Sequence, residues 1–75
     1  MIQKEISLSS IDSVKKFVNV VNMYDFEVDL VSGRYTINAK SIMGIFSLDL
    51  TQPITMQVHE DDCAKFLEEI SPFIV

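Results

Sequence analysis

Apolar residues recur along this chain with two different periods. Ile2, Ile6 and Leu8 lie on one side of an alternating pattern that Lys4 interrupts, which predicts a first strand over Ile2–Ser7 with a wet polar face. Ser9-Ser10-Ile11-Asp12 then matches a capping box, in which a serine hydroxyl satisfies an orphan amide and an acid three residues on reaches back. Behind it Ile11, Val14, Phe17, Val18, Val21 and Tyr24 follow at spacings of three and four, with Lys15, Lys16, Asn19 and Asn22 opposite. That is the stripe of an amphipathic helix. The period next drops to two. Phe26, Val28 and Leu30 alternate with Glu27 and Asp29, Ser32-Gly33 supplies a turn, and Tyr35, Ile37 and Ala39 alternate with Arg34, Thr36 and Asn38, which predicts a β-hairpin.

Ser41 is suited to cap a short helix over Ile42–Ser47, whose length and internal Gly44 allow no more than a turn or two. Ile54, Met56 and Val58 after Pro53 form a fourth strand. Asp61 is placed to cap a last helix in which Cys63, Phe66, Leu67 and Ile70 share a face; Pro72 ends it near Ser71, and Phe73-Ile74-Val75 fold back. The order is βαββαβα. It implies an α+β open-faced two-layer sandwich, four mostly antiparallel strands with three helices on one face and a polar opposite face, in a single domain spanning residues 1–75.

Length and charge narrow the functional classes. A chain of 75 residues buries roughly 60% of what its unfolded form exposes, enough for a cooperative core but not for a deep catalytic cavity, so an enzyme acting on a large substrate is not expected. The longest stretch without charged side chains, Leu50 to His59, is ten residues, against about 20 for a spanning helix, and Met1–Glu5 does not resemble a secretory signal. Cys63 is the sole cysteine, so neither a disulfide within the chain nor a zinc or iron-sulfur site is expected, and no cofactor or metal; the usage fits a reducing, cytoplasmic setting. Six basic residues scattered among eleven acidic ones give a net charge of −5. Nucleic acid is therefore excluded as an expected partner, since phosphate neutralisation needs clustered Lys and Arg.

The segment Ser32-Gly-Arg-Tyr-Thr-Ile-Asn-Ala-Lys-Ser-Ile-Met-Gly-Ile-Phe-Ser-Leu48, with its Lys40–Leu48 core, resembles the HPr family, the histidine-containing phosphocarriers of the bacterial sugar phosphotransferase system. There a β-hairpin leads into the same Lys-Ser-Ile-Met-Gly run, and the family's βαββαβα order coincides with the order read above. The resemblance implies a phosphoacceptor histidine at the start of the first helix, within a Gly-x-His-Ala-Arg-Pro-like motif. Here Ser10 falls near the histidine position and Asp12 near the arginine. A serine phosphoester is too stable for a relay, and Asp12 repels the anion that an arginine attracts.

Ser41 matches the family's regulatory serine, the target of HPr kinase/phosphorylase. A phosphate there adds about −1.5 to −2 charge, beside a patch of Ile42, Met43 and Phe46 suited to docking, with Lys40 at its border. Ile45, Leu48 and Leu50 can supply the inner face, which leaves Met43 and Phe46 exposed. The resemblance then implies a non-catalytic regulatory module, similar to the catabolite-repression HPr homologues, with HPr kinase/phosphorylase, a transcriptional regulator or phosphotransferase-system components as partners. Two alternatives stay open: a phosphocarrier with a non-standard acceptor, for which His59 is the remaining histidine, and a degenerate paralogue with a scaffold role. Ser41 also reads simply as a helix cap, and His59, beside Glu60, Asp61 and Asp62, as a surface histidine.

Overall fold

The computed structural model describes all residues, 1–75. Its elements run β1 (Ile2–Ile6), α1 (Ile11–Asn22), β2 (Val28–Ser32), β3 (Tyr35–Asn38), α2 (Ile42–Phe46), β4 (Ile54–Val58) and α3 (Ala64–Glu69), followed by one 3₁₀ turn over Ser71–Phe73. The βαββαβα order and the α+β open-faced sandwich are as the periodicity implies. The strands form one sheet in the order β1-β4-β2-β3, every neighbouring pair antiparallel. Gly33 takes φ +60 in the two-residue loop between the paired Ser32 and Tyr35, a conformation glycine adopts without the Cβ penalty other residues meet.

The core lies between the sheet and the helices. Val14, Phe17 and Val21 of α1, Ile45 of α2 and Phe66 of α3 are fully buried against Ile6, Val28, Leu30, Ile54, Met56 and Val58 of the strands. No polar or charged residue is buried as a whole, although the Glu69 Oε2 atom is covered and without a hydrogen-bond partner. Burying each large apolar side chain stabilises the fold by about 1.5–3 kcal/mol. Phe26 precedes β2 rather than belonging to it, and packs with Tyr24 and Phe66 at ring separations of 5.2–5.3 Å.

The interruption at Lys4 has a structural meaning. Lys4 pairs across the sheet with the fully buried Met56, yet remains exposed because β1 is an edge strand. A charge on the inner side of an edge discourages pairing with another chain. The C-terminal segment covers part of the same edge: Ser7 N–H donates to the Phe73 carbonyl at 2.8 Å, Val75 N–H to the Glu5 carbonyl at 3.0 Å, and Ile6 bridges Ile74. The opposite face carries two polar-rich rows, Gln3–Gln57–Asp29–Asn38 and Glu5–Thr55–Val31–Thr36.

Three local expectations need correction. At α1 the capping pair is Ser10 with Ser13, not with Asp12: Ser10 Oγ accepts from Ser13 N–H at 3.1 Å, and the two hydroxyls are 2.9 Å apart. Ser10 itself is extended (φ −141, ψ 161), so counting three residues into the helix reaches Ser13. Ile11, on the apolar stripe, is 63% exposed, because a side chain at the first helical position points back past the helix end. Asp61 does not cap α3, which starts after the buried Cys63 with no side-chain cap bond. Glu60 Oε1 instead accepts from the Asp61 and Asp62 N–H groups, at 3.1 and 3.3 Å, while the Asp61 carboxylate pairs with the terminal amine at 3.0 Å.

Candidate functional site

The chain leaves β3 at Asn38 and enters α2 at Ile42, and Ser41 stands at the entry. It is exposed, with φ −92 and ψ 93, and its Oγ accepts from Gly44 N–H at 3.3 Å while its carbonyl accepts from Ile45 N–H at 3.0 Å. The hydroxyl is a helix cap whose proton side remains available to solvent. On the approach, Ala39 N–H donates to the Val28 carbonyl at 2.8 Å, Lys40 N–H to Asn38 Oδ1 at 2.8 Å and Ser41 N–H to the Asn38 carbonyl at 2.9 Å.

The five residues of α2 divide between core and solvent. Ile45 is fully buried and Ile42 half-buried against the core, whereas Met43 is 77% and Phe46 is 40% exposed. Positions three apart share a helix face, so the last two form one apolar surface beside Ser41. Lys40 is half-buried. Gly44 sits where α2 meets the sheet: a Cβ there would lie 3.1 Å from Ser41 Oγ and 3.3 Å from Ile37 Cδ1. Both neighbours are side-chain atoms, which would have to give by a few tenths of an ångström to admit a methyl.

Ser10 lies at the head of α1, in an open depression of about 670 Å³ whose lining includes Ser7, Ser9, Ser13, Asp12, Lys16 and Glu69. These groups offer hydroxyls, one ammonium and two carboxylates, but no imidazole. His59 follows β4 on the other face of the sheet, with Nε2 2.9 Å from Asp29 Oδ2. The fold therefore brings Ser41, Met43 and Phe46 together and keeps His59 apart from Ser10. In the alternating pattern Asn38 is only a polar position of the hairpin. Its local signal was an Asn two residues ahead of an amide it can bond, the pattern of an Asx turn.

A family model described as "PTS HPr component phosphorylation site" matches residues 12–75. The chain belongs to this family. No curated protein matches. Among solved structures, the HPr-C-His protein of Thermoanaerobacter tengcongensis is similar at 22% identity and a TM-score of 0.79, over 96% of this chain and 89% of that one. The phosphocarrier protein HPr of Bacillus anthracis is similar at 26% identity and a TM-score of 0.74, over 99% and 96%. The histidine-containing phosphocarrier protein of a Mycoplasma shares the fold at 14% identity and a TM-score of 0.72, over 95% and 86%. The HPr family model begins at Asp12, just past Ser10, and contains the whole Lys40–Leu48 segment. No helix is long and apolar enough to cross a membrane.

Proposed function

We propose that this HPr-family chain is a regulatory module that works through protein partners, that phosphorylation of Ser41 switches it, and that it does not relay phosphate. The observation that carries this reading is the exposed Ser41 hydroxyl at the head of α2, next to the exposed Met43 and Phe46. A kinase transferring the γ-phosphoryl of ATP forms an Oγ–P bond at Ser41 and breaks the bond to ADP, while the hydroxyl proton passes to the kinase's base. The product places about −1.5 to −2 charge beside an apolar surface. Phosphate oxygens are stronger acceptors for the Gly44 N–H that Ser41 Oγ already engages, so the fold has no reason to open.

The same surface then presents a different chemistry to a partner. Unmodified, it offers an adaptable thioether and a flat ring to an apolar patch; modified, it adds an anion for an arginine or lysine. HPr kinase/phosphorylase, a catabolite-control repressor or other phosphotransferase-system components are the partners this reading names, and Lys40, Ile42, Met43 and Phe46 the residues that meet them. Against relay, the depression at Ser10 sets the single ammonium of Lys16 beside the carboxylates of Asp12 and Glu69 and has no imidazole, and a serine ester does not pass phosphate on as an N–P bond does.

Two incubations test the reading. HPr kinase with ATP should place acid-stable phosphate on Ser41, and S41A should abolish it; enzyme I with phosphoenolpyruvate should leave the protein unlabelled. Acid-labile phosphate on His59 from the second incubation would instead establish a carrier with an unusual acceptor. Absence of label in both would leave a scaffold.

A further inference from the structure

The geometry points to Asn38 as the positioning residue for Ser41, tied to Glu27 so that the approach to the modified hydroxyl is held in one conformation; this rests on the phosphorylation reading above. The segment Ala39–Ser41 has three backbone N–H groups, and two of their three acceptors belong to Asn38: its Oδ1 takes Lys40 N–H at 2.8 Å and its carbonyl takes Ser41 N–H at 2.9 Å. The same side chain donates through Nδ2 to Glu27 Oε2 at 2.8 Å, a charge-assisted bond. Glu27 is itself anchored, since its carbonyl accepts His59 N–H at 2.9 Å just past the end of β4. A chain of hydrogen bonds thus runs from the end of a central strand through Glu27 and Asn38 to the amides that deliver Ser41.

The bond to Glu27 is what makes Asn38 more than a turn residue. An exposed asparagine that bonds only its own backbone competes with water and with its other rotamers. Here the amide donor is engaged by a carboxylate on a separate segment, so Oδ1 is aimed at Lys40 N–H before any partner arrives. Ala39, between them, is fully buried and bonded to β2 through Val28. Ser41 is then held on both sides: behind, its N–H donates to the Asn38 carbonyl, and ahead the Ile45 N–H donates to its carbonyl and the Gly44 N–H to its Oγ. Phosphoryl transfer requires Oγ in line with the ATP γ-phosphorus, and a hydroxyl already ordered meets that requirement without loss of freedom on binding.

The experiment compares wild type, N38A and the exchanged pair N38D with E27Q, which reverses the two partners: the new side-chain amide on the Glu27 side donates to the new carboxylate on the Asn38 side, and Lys40 N–H keeps its acceptor. Two quantities are read: amide hydrogen exchange at Lys40 and Ser41, and kcat and KM for Ser41 phosphorylation by HPr kinase with ATP. N38A should speed exchange at Lys40 and lower kcat on the order of 5–30-fold, the factor that one or two kcal/mol of lost ordering produces, with KM little changed because Met43 and Phe46 are untouched. The exchanged pair should restore both. Faster exchange with kcat unchanged would overturn the positioning role, as would a fall confined to KM, or failure of the exchanged pair to recover kcat while its Lys40 amide is protected. Should wild type take no phosphate, the role falls together with the reading it rests on, and the exchange data alone decide whether the Glu27–Asn38 link exists.

Discussion

Two substitutions two positions apart in α2 should behave oppositely, and the pair tests the division of that helix between core and proposed docking surface. Ile45 is fully buried. Truncation to alanine removes three heavy atoms from a packed site, and such Ile→Ala changes cost about 2–5 kcal/mol, depending on how far the surroundings relax. For a domain of this size each kcal/mol moves the thermal midpoint by about 4–8 °C, so I45A should melt at least about 8 °C below wild type. Met43 is 77% exposed, and substitutions at such positions stay within about ±0.5 kcal/mol, so M43A should shift the midpoint by no more than about 4 °C. Far-ultraviolet circular dichroism on heating, with urea unfolding as a second measure, reads both. A pull-down with HPr kinase/phosphorylase then separates the roles: M43A should bind less while folding normally. An M43A protein destabilised as much as I45A, or an I45A protein melting with wild type, would refute the assignment of inner and outer faces.

Replacing Gly44 by alanine gains up to about 1 kcal/mol of helix propensity but sets a methyl 3.1 Å from Ser41 Oγ and 3.3 Å from Ile37 Cδ1. A serine cap is worth typically about 1 kcal/mol, so the midpoint of G44A should move by less than about 8 °C while phosphorylation of Ser41 falls; the melting curve and the kinase assay check this together. Burial pushes the Cys63 thiol up, with the carboxylates of Glu60, Asp61 and Asp62 adding to it. Little thiolate is present at neutral pH, so a thiol reagent should label the native protein slowly and the urea-unfolded protein fast. The Thr51 hydroxyl, and then its N–H, hold the Asp49 carboxyl below the usual range. A lowered folded value means the contribution is present above the unfolded value and lost as pH falls through the folded one. D49N should therefore be less stable than wild type at pH 7, and the gap should close on acidification from about pH 4 downward, as followed by denaturant melts across pH.

Much of the candidate site was legible because its signals are local. Ser41 before a short apolar run reads as a cap from a handful of residues, and the exposure of Met43 and Phe46 follows from a five-residue helix having only one side to bury. The rest of the arrangement depends on partners distant in sequence. Asn38 carried its own Asx-turn signal, but nothing near it announced Glu27, 11 residues back across the hairpin. Asp61 looked like a cap because acids favour helix starts. The burial of Cys63 and the reach of Glu60 Oε1 moved the start onward and left Asp61 to the terminal amine.

The amino-acid pattern alone determined the kinds and order of the elements, the turn at Gly33, the apolar stripe of α1 and the motif that ties the chain to its family. Each follows from steric and hydrogen-bonding preferences within a few residues or from the period of apolar side chains. Only the tertiary structure decided that β4 lies between β1 and β2, that Ile2 faces Val58, and that His59 meets Asp29 on the face opposite the helices. Those choices bring together residues up to 56 positions apart. No local preference specifies them, because they are settled by which arrangement closes the loops and buries all the apolar stripes at once.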